Sequence, residues 1–503
     1  MSLHLSLPPS DERDGTRPDP SPQQIAEWLV TLRTHSAPQR ARQIIDFLIP
    51  MNRTRMRVAL RQEVTELLIA EAMPLLVELS GTLNSATVPL EAHTRSAADL
   101  ADELLIELAY SYKTLLMEQS RRLFGLASSG RAQLPVVRAM QLLAERLLLS
   151  YGMYATPPKG VWVELHALYH FALRRGFAQR GMSDDSAAPL DIYREALLLG
   201  FAEPLKLMQG DLNRVRTWIA QYGSQASLAA ANGQHGGRGI FLIKNQRDVP
   251  GYPLSKRQHP GTQQHDSVFN TQALAETLLE QAARVKAGES PAQIGLPERI
   301  DGVGLHDLLT QLAKHWGNAT SRRYERLRTH ARVDVHVGIG GIWQFLNTAG
   351  RTASPASEWI ITNEGAGGFA LTHDKGPIES VRVGDAIGVR TNQDDNCHIC
   401  MVRWVLSDHS EHIEVGVEEM APSARAASIR KVRDEPGRNP EPVLLLPEAP
   451  GSNQEPAILA PLVPLDTTCE LNLGDLQSKM RVKATGLLER TVSVQLLQFN
   501  AVS

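Results

Sequence analysis

The spacing of the hydrophobic residues changes once along this 503-residue chain, close to residue 332. Upstream, apolar residues recur every three or four positions, which is the spacing of an amphipathic helix. Downstream, Val333, Val335 and Val337 alternate with Asp334 and His336, which is the pattern of a half-buried strand. Because the two periods occupy separate regions, the sequence predicts an α+β multidomain protein, with an all-α part first and β structure after it.

The helical region is predicted to form one all-α interaction domain over residues 21–222. Its clearest segments are RMRVALRQEVTELLIAEAMPLLVEL and SAADLADELLIELAYSYKTLLMEQSRRLF, the second with Ser96 as a predicted N-cap. Residues 1–20 are rich in Pro, Asp, Ser and Arg, and we expect this tail to be disordered because it has little to bury.

Residues 223–320 are predicted to connect the helical domain to the β region. Up to about residue 268 the composition shifts to Gly, Gln, His, Pro and Asn, which favours a long loop with room for one hairpin. Two helices are then expected, Thr271–Ala287 and about Leu305–Trp316, followed by the Arg-rich segment SRRYERLRTHAR.

Short strands separated by turns dominate the rest of the chain. The segments WIIT, FALT, AIGVR, MVRWVL and IEVGV predict a small β-barrel over residues 321–432. The glycines of Gly338–Gly341 are interpreted as a strand end that no helix follows. DEPGRNPEP is a predicted linker, and the strands VLLLP, AILAPLV, CELNL, MRVKATG and TVSVQLLQF predict a further small β module over residues 443–503.

The formal charge of −3 at pH 7 disfavours duplex DNA and anionic membranes as partners, because both select proteins with a basic excess. No uncharged apolar run reaches the roughly 18 residues of a membrane span, and the N-terminus lacks the pattern of a signal peptide. Three cysteines, Cys397, Cys400 and Cys469, are too few for a disulfide framework. Together these properties predict a cytoplasmic protein without a membrane span.

Two arginines four positions apart, Arg328 and Arg332, stand where the Arg-rich segment meets the first strand. The guanidinium group is a planar, permanently charged donor that binds phosphate and the guanine edge in a bidentate manner. Further along, Asn363 begins the turn NEGAGG, whose glycines allow a flat ligand to approach the backbone closely. These residues favour a site for an anionic ligand that contains a purine.

RTHARVDV, NEGAGGFAL, VRVGDAIGVR and MVRWVLSDHSEHIEVGVEEMAPSA together resemble the PilZ domain family. That family carries an RxxxR segment before its first strand and a [D/N]xSxxG turn after its second. The resemblance implies binding of cyclic di-GMP, with Arg328 and Arg332 on phosphates and guanines. It also assigns Asn363 to the acidic or amide position and Gly368 to the last glycine. Gly365 stands where the family has serine, so a hydroxyl that would help to hold a guanine is missing.

Other motifs are interpreted as structural. Cys397 and Cys400 lie three apart on a predicted strand and point to opposite faces, and no second CxxC exists to complete a metal site. His166 and His170 lie one helical turn apart, but alanine follows His166 where a zinc protease has glutamate, so we expect satisfied helix histidines. No nucleophile elbow, P-loop or paired-carboxylate signature is present. The chain is therefore not expected to be an enzyme or to hold a metal or cofactor.

The function predicted from the sequence is a cyclic di-GMP receptor that relays its signal to an unidentified protein partner through the helical domain. Ligand binding is expected to order the segment Arg322–Arg332 and so to re-aim the helix that precedes it. Arg323 and Arg326 are additional candidate contacts. The alternative is a scaffold or adaptor with a degenerate barrel that binds no nucleotide, which Gly365 favours and which Arg328, Arg332 and Asn363 oppose.

Overall fold

The structure is a computed structural model that divides into two compact units. The first contains Met1–Ala86, Glu91–Pro204 and Leu212–Thr320, and the second contains Thr87–Leu90, Leu205–Asp211 and Ser321–Ser503. The residues described are 3–9, 21–122, 129–183, 186–231, 236–254, 266–297, 304–317, 330–348, 357–365, 367–391, 396–409, 411–431, 440–448, 455–462, 469–473 and 478–502. Within these residues, no helix is both long and apolar enough to cross a membrane.

The first unit begins with a series of α-helices. They are α1 (Pro22–Leu32), α2 (Ala37–Arg53), α3 (Val58–Ser80), α4 (Ala92–Arg122), α5 (Ser129–Gly152), α6 (Val161–Arg174), α7 (Pro189–Phe201) and α8 (Asp211–Tyr222). Helix α4 packs against α2, α3 and α5 and buries Leu104, Leu108 and Leu115. It begins at Ala92, so the prediction that Ser96 is its N-cap is wrong.

A short N-terminal segment contacts this helical domain. The Ser6 backbone N–H and hydroxyl both donate to Glu164 Oε1 at 2.6 Å, and Lys113 Nζ donates to Glu164 Oε2 at 2.8 Å. Lys113 and Glu164 are both buried, so the segment covers an ion pair that lies between α4 and α6. The predicted disorder of residues 1–20 therefore does not extend through residues 3–9, while residues 10–20 lie outside the described part.

The predicted connector is folded onto the helical domain. It forms an antiparallel four-stranded sheet in the order β1-β4-β2-β3, followed by helices that confirm both predicted segments. These elements are β1 (Ser227–Ala230), β2 (Ile240–Ile243), β3 (Tyr252–Pro253), β4 (Ser267–Asn270), α9 (Gln272–Lys286) and α10 (Leu305–Gly317). Trp316 of α10 donates its Nε1 hydrogen to the carbonyl oxygen of Leu198 in α7 at 3.1 Å. The single predicted hairpin thus underestimates the β structure of residues 223–270.

Both histidines of α6 are hydrogen-bonded, as predicted, and His170 Nε2 lies 2.9 Å from Asn245 Oδ1. His166 is completely buried, and its Nε2 lies 3.0 Å from the Val249 carbonyl oxygen. Because a carbonyl oxygen only accepts, Nε2 carries the proton, and Nδ1 then accepts from the Tyr193 hydroxyl at 2.6 Å. Burial lowers the pKa of His166 to about 4.

We expect His166 to make the helical unit less stable in mild acid. Its folded pKa lies below the unfolded value of about 6.5, so the unfolded chain binds the proton more tightly between these two values. Stability is full above pH 6.5 and falls as the pH drops towards 4, with a loss of roughly 2 kcal/mol between pH 7.5 and pH 5. Urea unfolding at both pH values measures this loss. The change should shrink in His166→Gln and persist in His93→Gln, whose histidine is exposed; equal losses in all three chains would contradict it.

The second unit contains two closed β-barrels of antiparallel strands. The first has the order β10-β7-β6-β5-β8-β9. Its strands are β5 (Arg332–Val337), β6 (Ser357–Gly365), β7 (Gly368–Lys375), β8 (Ala386–Thr391), β9 (Cys397–His409) and β10 (His412–Ala421), with helix α11 (Gly338–Asn347) inserted after β5. Every strand segment predicted for this region is present.

The second barrel has the order β11-β12-β13-β16-β15-β14. Its strands are β11 (Arg425–Lys431), β12 (Glu441–Leu446), β13 (Ala457–Pro461), β14 (Cys469–Leu473), β15 (Ser478–Arg490) and β16 (Val494–Ala501). The predicted C-terminal β module is confirmed, and with it the α+β multidomain class. The prediction placed β11 in the first barrel, but β11 pairs with β12 and β14 and so belongs to the second.

Helix α11 lies between the two barrels. Its Ile339, Ile342 and Phe345 share one apolar cluster with residues of both barrels, and Trp343 Nε1 donates to the Ala427 carbonyl oxygen of β11 at 2.7 Å. The interpretation of Gly338–Gly341 as a strand end without a following helix is wrong, since α11 begins at Gly338. The barrels therefore share a core rather than forming separate modules.

Candidate functional site

The sequence-predicted residues that the structure describes lie on the outer face of the first barrel. On β6, β7, β10 and β9, one cross-strand row is buried and fills the interior: Ile361, Leu371, Val415 and Val405. Neighbours along a strand point the opposite way. The adjoining row therefore faces outward, and its paired members are Asn363, Ala370, Gly416 and Trp404. A register shift between Ile361 and Asn363 places Asn363 in this row.

Arg332 lies on the same outer face. It begins β5 and pairs with Ile360, which in turn pairs with Thr372, two residues from Ala370 along β7. Its Nη2 lies 3.4 Å from Asp374 Oδ2, and its side chain is 54 % exposed. The guanidinium is thus oriented by a carboxylate and is accessible to a ligand. Its partner Ile360 precedes Asn363 by three residues along β6.

The two outer glycines of the turn between β6 and β7, Gly365 and Gly368, differ in whether the backbone requires glycine. Gly368 has φ +149°, and a Cβ there would lie 1.9 Å from the Val417 carbonyl oxygen, so only glycine fits against β10. Gly365 has no neighbour within 4 Å of a built Cβ and its φ lies outside the left-handed region. Gly365 is therefore not required by the backbone, and a side chain could project from it into open space.

Sequence reasoning missed Trp404. It pairs with Gly416 across β9 and β10, and a Cβ at Gly416 would come within 1.7 Å of the Trp404 Nε1 atom, so the indole lies over that glycine. The small residues Gly416 and Ala370, both buried, separate the indole from Asn363 across the strands. Trp404 is half-buried, and an aromatic ring that is partly accessible can stack on a planar base. The signal for Trp404 would have been a tryptophan opposite a glycine, but recognising that pair requires the register of β9 against β10.

Arg323, Arg326 and Arg328 lie outside the described residues. Of the motifs interpreted as structural, Cys397 and Cys400 are both buried and unbridged, and Cys397 belongs to the cluster around α11. Burial raises the pKa of both thiols, that of Cys397 to about 11, so they stay protonated and unreactive at neutral pH.

Comparison with known proteins covers almost the whole chain. The N-terminal domain of the cyclic-di-GMP receptor FimW matches residues 23–232, its middle PilZ domain matches residues 240–353 and 346–426, and the FimW C-terminal beta-barrel domain matches residues 427–502. The cyclic-di-GMP receptor FimW of Pseudomonas aeruginosa is 24 % identical to this chain over an alignment 517 positions long. The alignment covers 86 % of this chain and 83 % of that protein.

These matches confirm the resemblance to the PilZ family and revise where it applies. The middle-domain match begins at residue 240 rather than 321 and ends at residue 426 rather than 432. The C-terminal match begins at residue 427 rather than 443, in agreement with the pairing of β11 inside the second barrel. Since one family accounts for all three parts in their order along the sequence, the chain belongs to the FimW family of PilZ proteins.

Proposed function

We propose that this chain is a cyclic di-GMP receptor whose ligand binds on the outer face of the first barrel. In this proposal Arg328 and Arg332 hold phosphate and guanine groups, Asn363 and the backbone around Gly365 hold a guanine edge, and Gly368 keeps the turn closed against β10. The name of the Pseudomonas aeruginosa relative supports the choice of ligand.

The observation that carries the proposal is the arrangement around Asn363. An exposed arginine, an amide side chain and a half-buried aromatic ring share one face, and two small residues lie between the last two. A dianionic ligand with two purine rings needs these groups together: forked cations for phosphate, donors and acceptors for the base edge, and a flat apolar surface for stacking. Trp404 adds the stacking surface to the residues predicted from the sequence.

The proposal extends to the relay. We propose that the helical domain passes the signal to a protein partner, that the chain acts in the cytoplasm, and that it does so as a receptor without catalysing a reaction. The description of the relative as a receptor supports a receptor without catalysis. The Arg-rich segment directly follows the helical unit in the sequence, which is why we propose that the signal passes through the helical domain.

Calorimetric titration of the full chain with cyclic di-GMP tests the proposal. We expect saturable binding at micromolar or lower ligand concentration, and much weaker binding of cyclic di-AMP, because adenine replaces the O6 acceptor of guanine with an amino group. If neither nucleotide binds, the scaffold alternative with a ligand-free barrel is correct.

Gly365→Ser should tighten cyclic di-GMP binding. The position has open space for a side chain and no left-handed φ, so the hydroxyl can be added without strain. A neutral hydrogen bond contributes about 0.5–1.5 kcal/mol, which corresponds to a gain of a few-fold to about tenfold in affinity. Gly367→Ser is the matched control, because Gly367 is equally open but does not occupy the family's serine position. Unchanged or weaker binding in Gly365→Ser would mean that this turn does not hold the guanine.

A further inference from the structure

Arg403 joins the two barrels through a pair of carboxylates. It lies on β9, and its Nε donates to Glu418 Oε2 of the neighbouring strand β10 at 2.6 Å. The other side of the guanidinium forms a bidentate contact with Glu489 of β15 in the second barrel, with Nη2 to Oε2 at 3.0 Å. The Arg403 side chain is 34 % exposed. The Arg403 guanidinium thus bridges one carboxylate from each barrel.

This ion-pair cluster borders the proposed ligand face. Glu418 pairs with Gly368 at the end of the β6–β7 turn, and Arg403 directly precedes Trp404. The register shift between Gly416 and Val417 leaves Arg403 without a register partner on β10, which lets its side chain turn towards Glu489 while Trp404 stays over Gly416. The cluster is therefore at the edge of the site where the turn and the aromatic ring meet.

The charges of the cluster oppose an anionic ligand. Arg403 carries one positive charge and Glu418 and Glu489 carry two negative charges, so the cluster is negative overall beside a site proposed for a dianion. Partly exposed charges interact measurably within a Debye length of about 8 Å at physiological salt. As long as Glu489 holds the guanidinium, the positive charge of Arg403 does little to offset the repulsion between the Glu418 carboxylate and the anionic ligand.

We propose that Glu489 of the C-terminal barrel sets the affinity of the first barrel for its anionic ligand by controlling Arg403. The inference rests on the proposed function and assigns the C-terminal barrel a role in it. Arg403 is a positioning residue: it screens Glu418 and is withheld from the ligand by Glu489. Because coupling between sites is reciprocal, a ligand that attracts Arg403 weakens its bridge to β15, and the second barrel thereby senses occupancy.

Calorimetric titration of the full chain with cyclic di-GMP provides the test. Glu489→Gln should tighten binding about three- to tenfold, and Arg403→Met should weaken it by a similar factor. In an Arg403→Met background, Glu489→Gln should have a clearly smaller effect, limited to the direct repulsion between its carboxylate and the ligand, since the acid acts mainly through the arginine. The gain in Glu489→Gln should also shrink at high salt, which a purely structural effect would not do. Arg403→Lys should restore part of the affinity lost in Arg403→Met.

Glu470→Gln is the matched control, since Glu470 forms a partly exposed ion pair with Arg430 between two strands of the second barrel and its substitution should leave affinity unchanged. Thermal melts confirm that each variant is folded. If the wild-type chain binds the nucleotide and Glu489→Gln binds equally well, the role of Glu489 is wrong and the receptor function stands. The role is also wrong if Glu489→Gln retains its full effect without Arg403. If the wild-type chain does not bind, the proposed function and this inference fail together.

Discussion

A fragment of residues 318–503 should fold as a β protein, whereas a fragment of residues 318–432 should not. The shorter fragment keeps β5–β11 and α11 but loses β12–β16, which form the rest of the barrel on the far side of α11. Ile342, Ile399 and Met401 are at most 1 % exposed in a cluster that includes Leu444 and Leu459 of the second barrel. Uncovering one buried side chain of this size costs about 1.5–3 kcal/mol, so exposing even part of this cluster removes a large fraction of the stability of a small domain, about 5–15 kcal/mol.

Far-ultraviolet circular dichroism and a thermal melt of both fragments measure the difference. The longer fragment should melt cooperatively with the spectrum of a β protein. The shorter one should lack a cooperative transition and bind a dye for exposed apolar surface. A cooperative melt of the shorter fragment at the temperature of the longer one would show that the first barrel holds its core alone.

The strands were predictable because each barrel has an inside and an outside, which imposes period-two alternation on the sequence. Val333 and Val335, for example, alternate with Asp334 and are buried. The sequence does not show which strands share a barrel, because that depends on hydrogen-bond partners distant in sequence. β11 illustrates this: it follows β10 after a short turn but pairs with β12 and β14.

Helix α11 was missed for a physical reason. Its first turn contains Gly338, Gly340 and Gly341, and each glycine inside a helix costs about 1 kcal/mol relative to alanine. Local propensity therefore opposed a helix. The burial of Ile339 and Ile342 between two barrels supplies the stabilisation, and this tertiary contact is not visible in the local sequence.

The sequence predicted several residues of the candidate site, and the structure shows where Arg332 and Asn363 lie. Arg332 and Asn363 were predicted from a pattern of residue types, and they share one outer face. Trp404 and Arg403 were not predicted, because their relation to the site comes from the register of β9 against β10 and from the approach of β15. Such relations between strands from different parts of the chain need coordinates.

Arg328→Ala and Arg332→Ala should each weaken cyclic di-GMP binding by at least tenfold. A charge-assisted bidentate contact contributes about 1.5–3 kcal/mol, and about 1.4 kcal/mol corresponds to a factor of ten. For Arg332, the expected loss follows from its exposed guanidinium on the face of Asn363 and from its ion pair with Asp374 at the long distance of 3.4 Å. Ligand phosphate can replace that weak contact at little cost.

The fold should tolerate the Arg332 substitution. Arg332 takes part in the barrel through its backbone pairing with Ile360, which alanine retains, and a partly exposed ion pair contributes about 0–1 kcal/mol. A loss of affinity without a loss of stability would therefore report on the ligand contact itself. Arg332→Lys should bind with intermediate affinity, because it retains the charge but not the fork.

Calorimetric titration of each variant measures the effect, with circular dichroism to verify the fold. Arg481→Ala is the matched control, since Arg481 is an exposed arginine on β15 of the other barrel and its removal should leave affinity within about twofold of the wild type. The double variant Arg328→Ala/Arg332→Ala should lose binding beyond detection. If both single variants bind like the wild type while the barrel is intact, the ligand does not use this face, and the assignment of Arg328, Arg332 and Asn363 to one site is wrong.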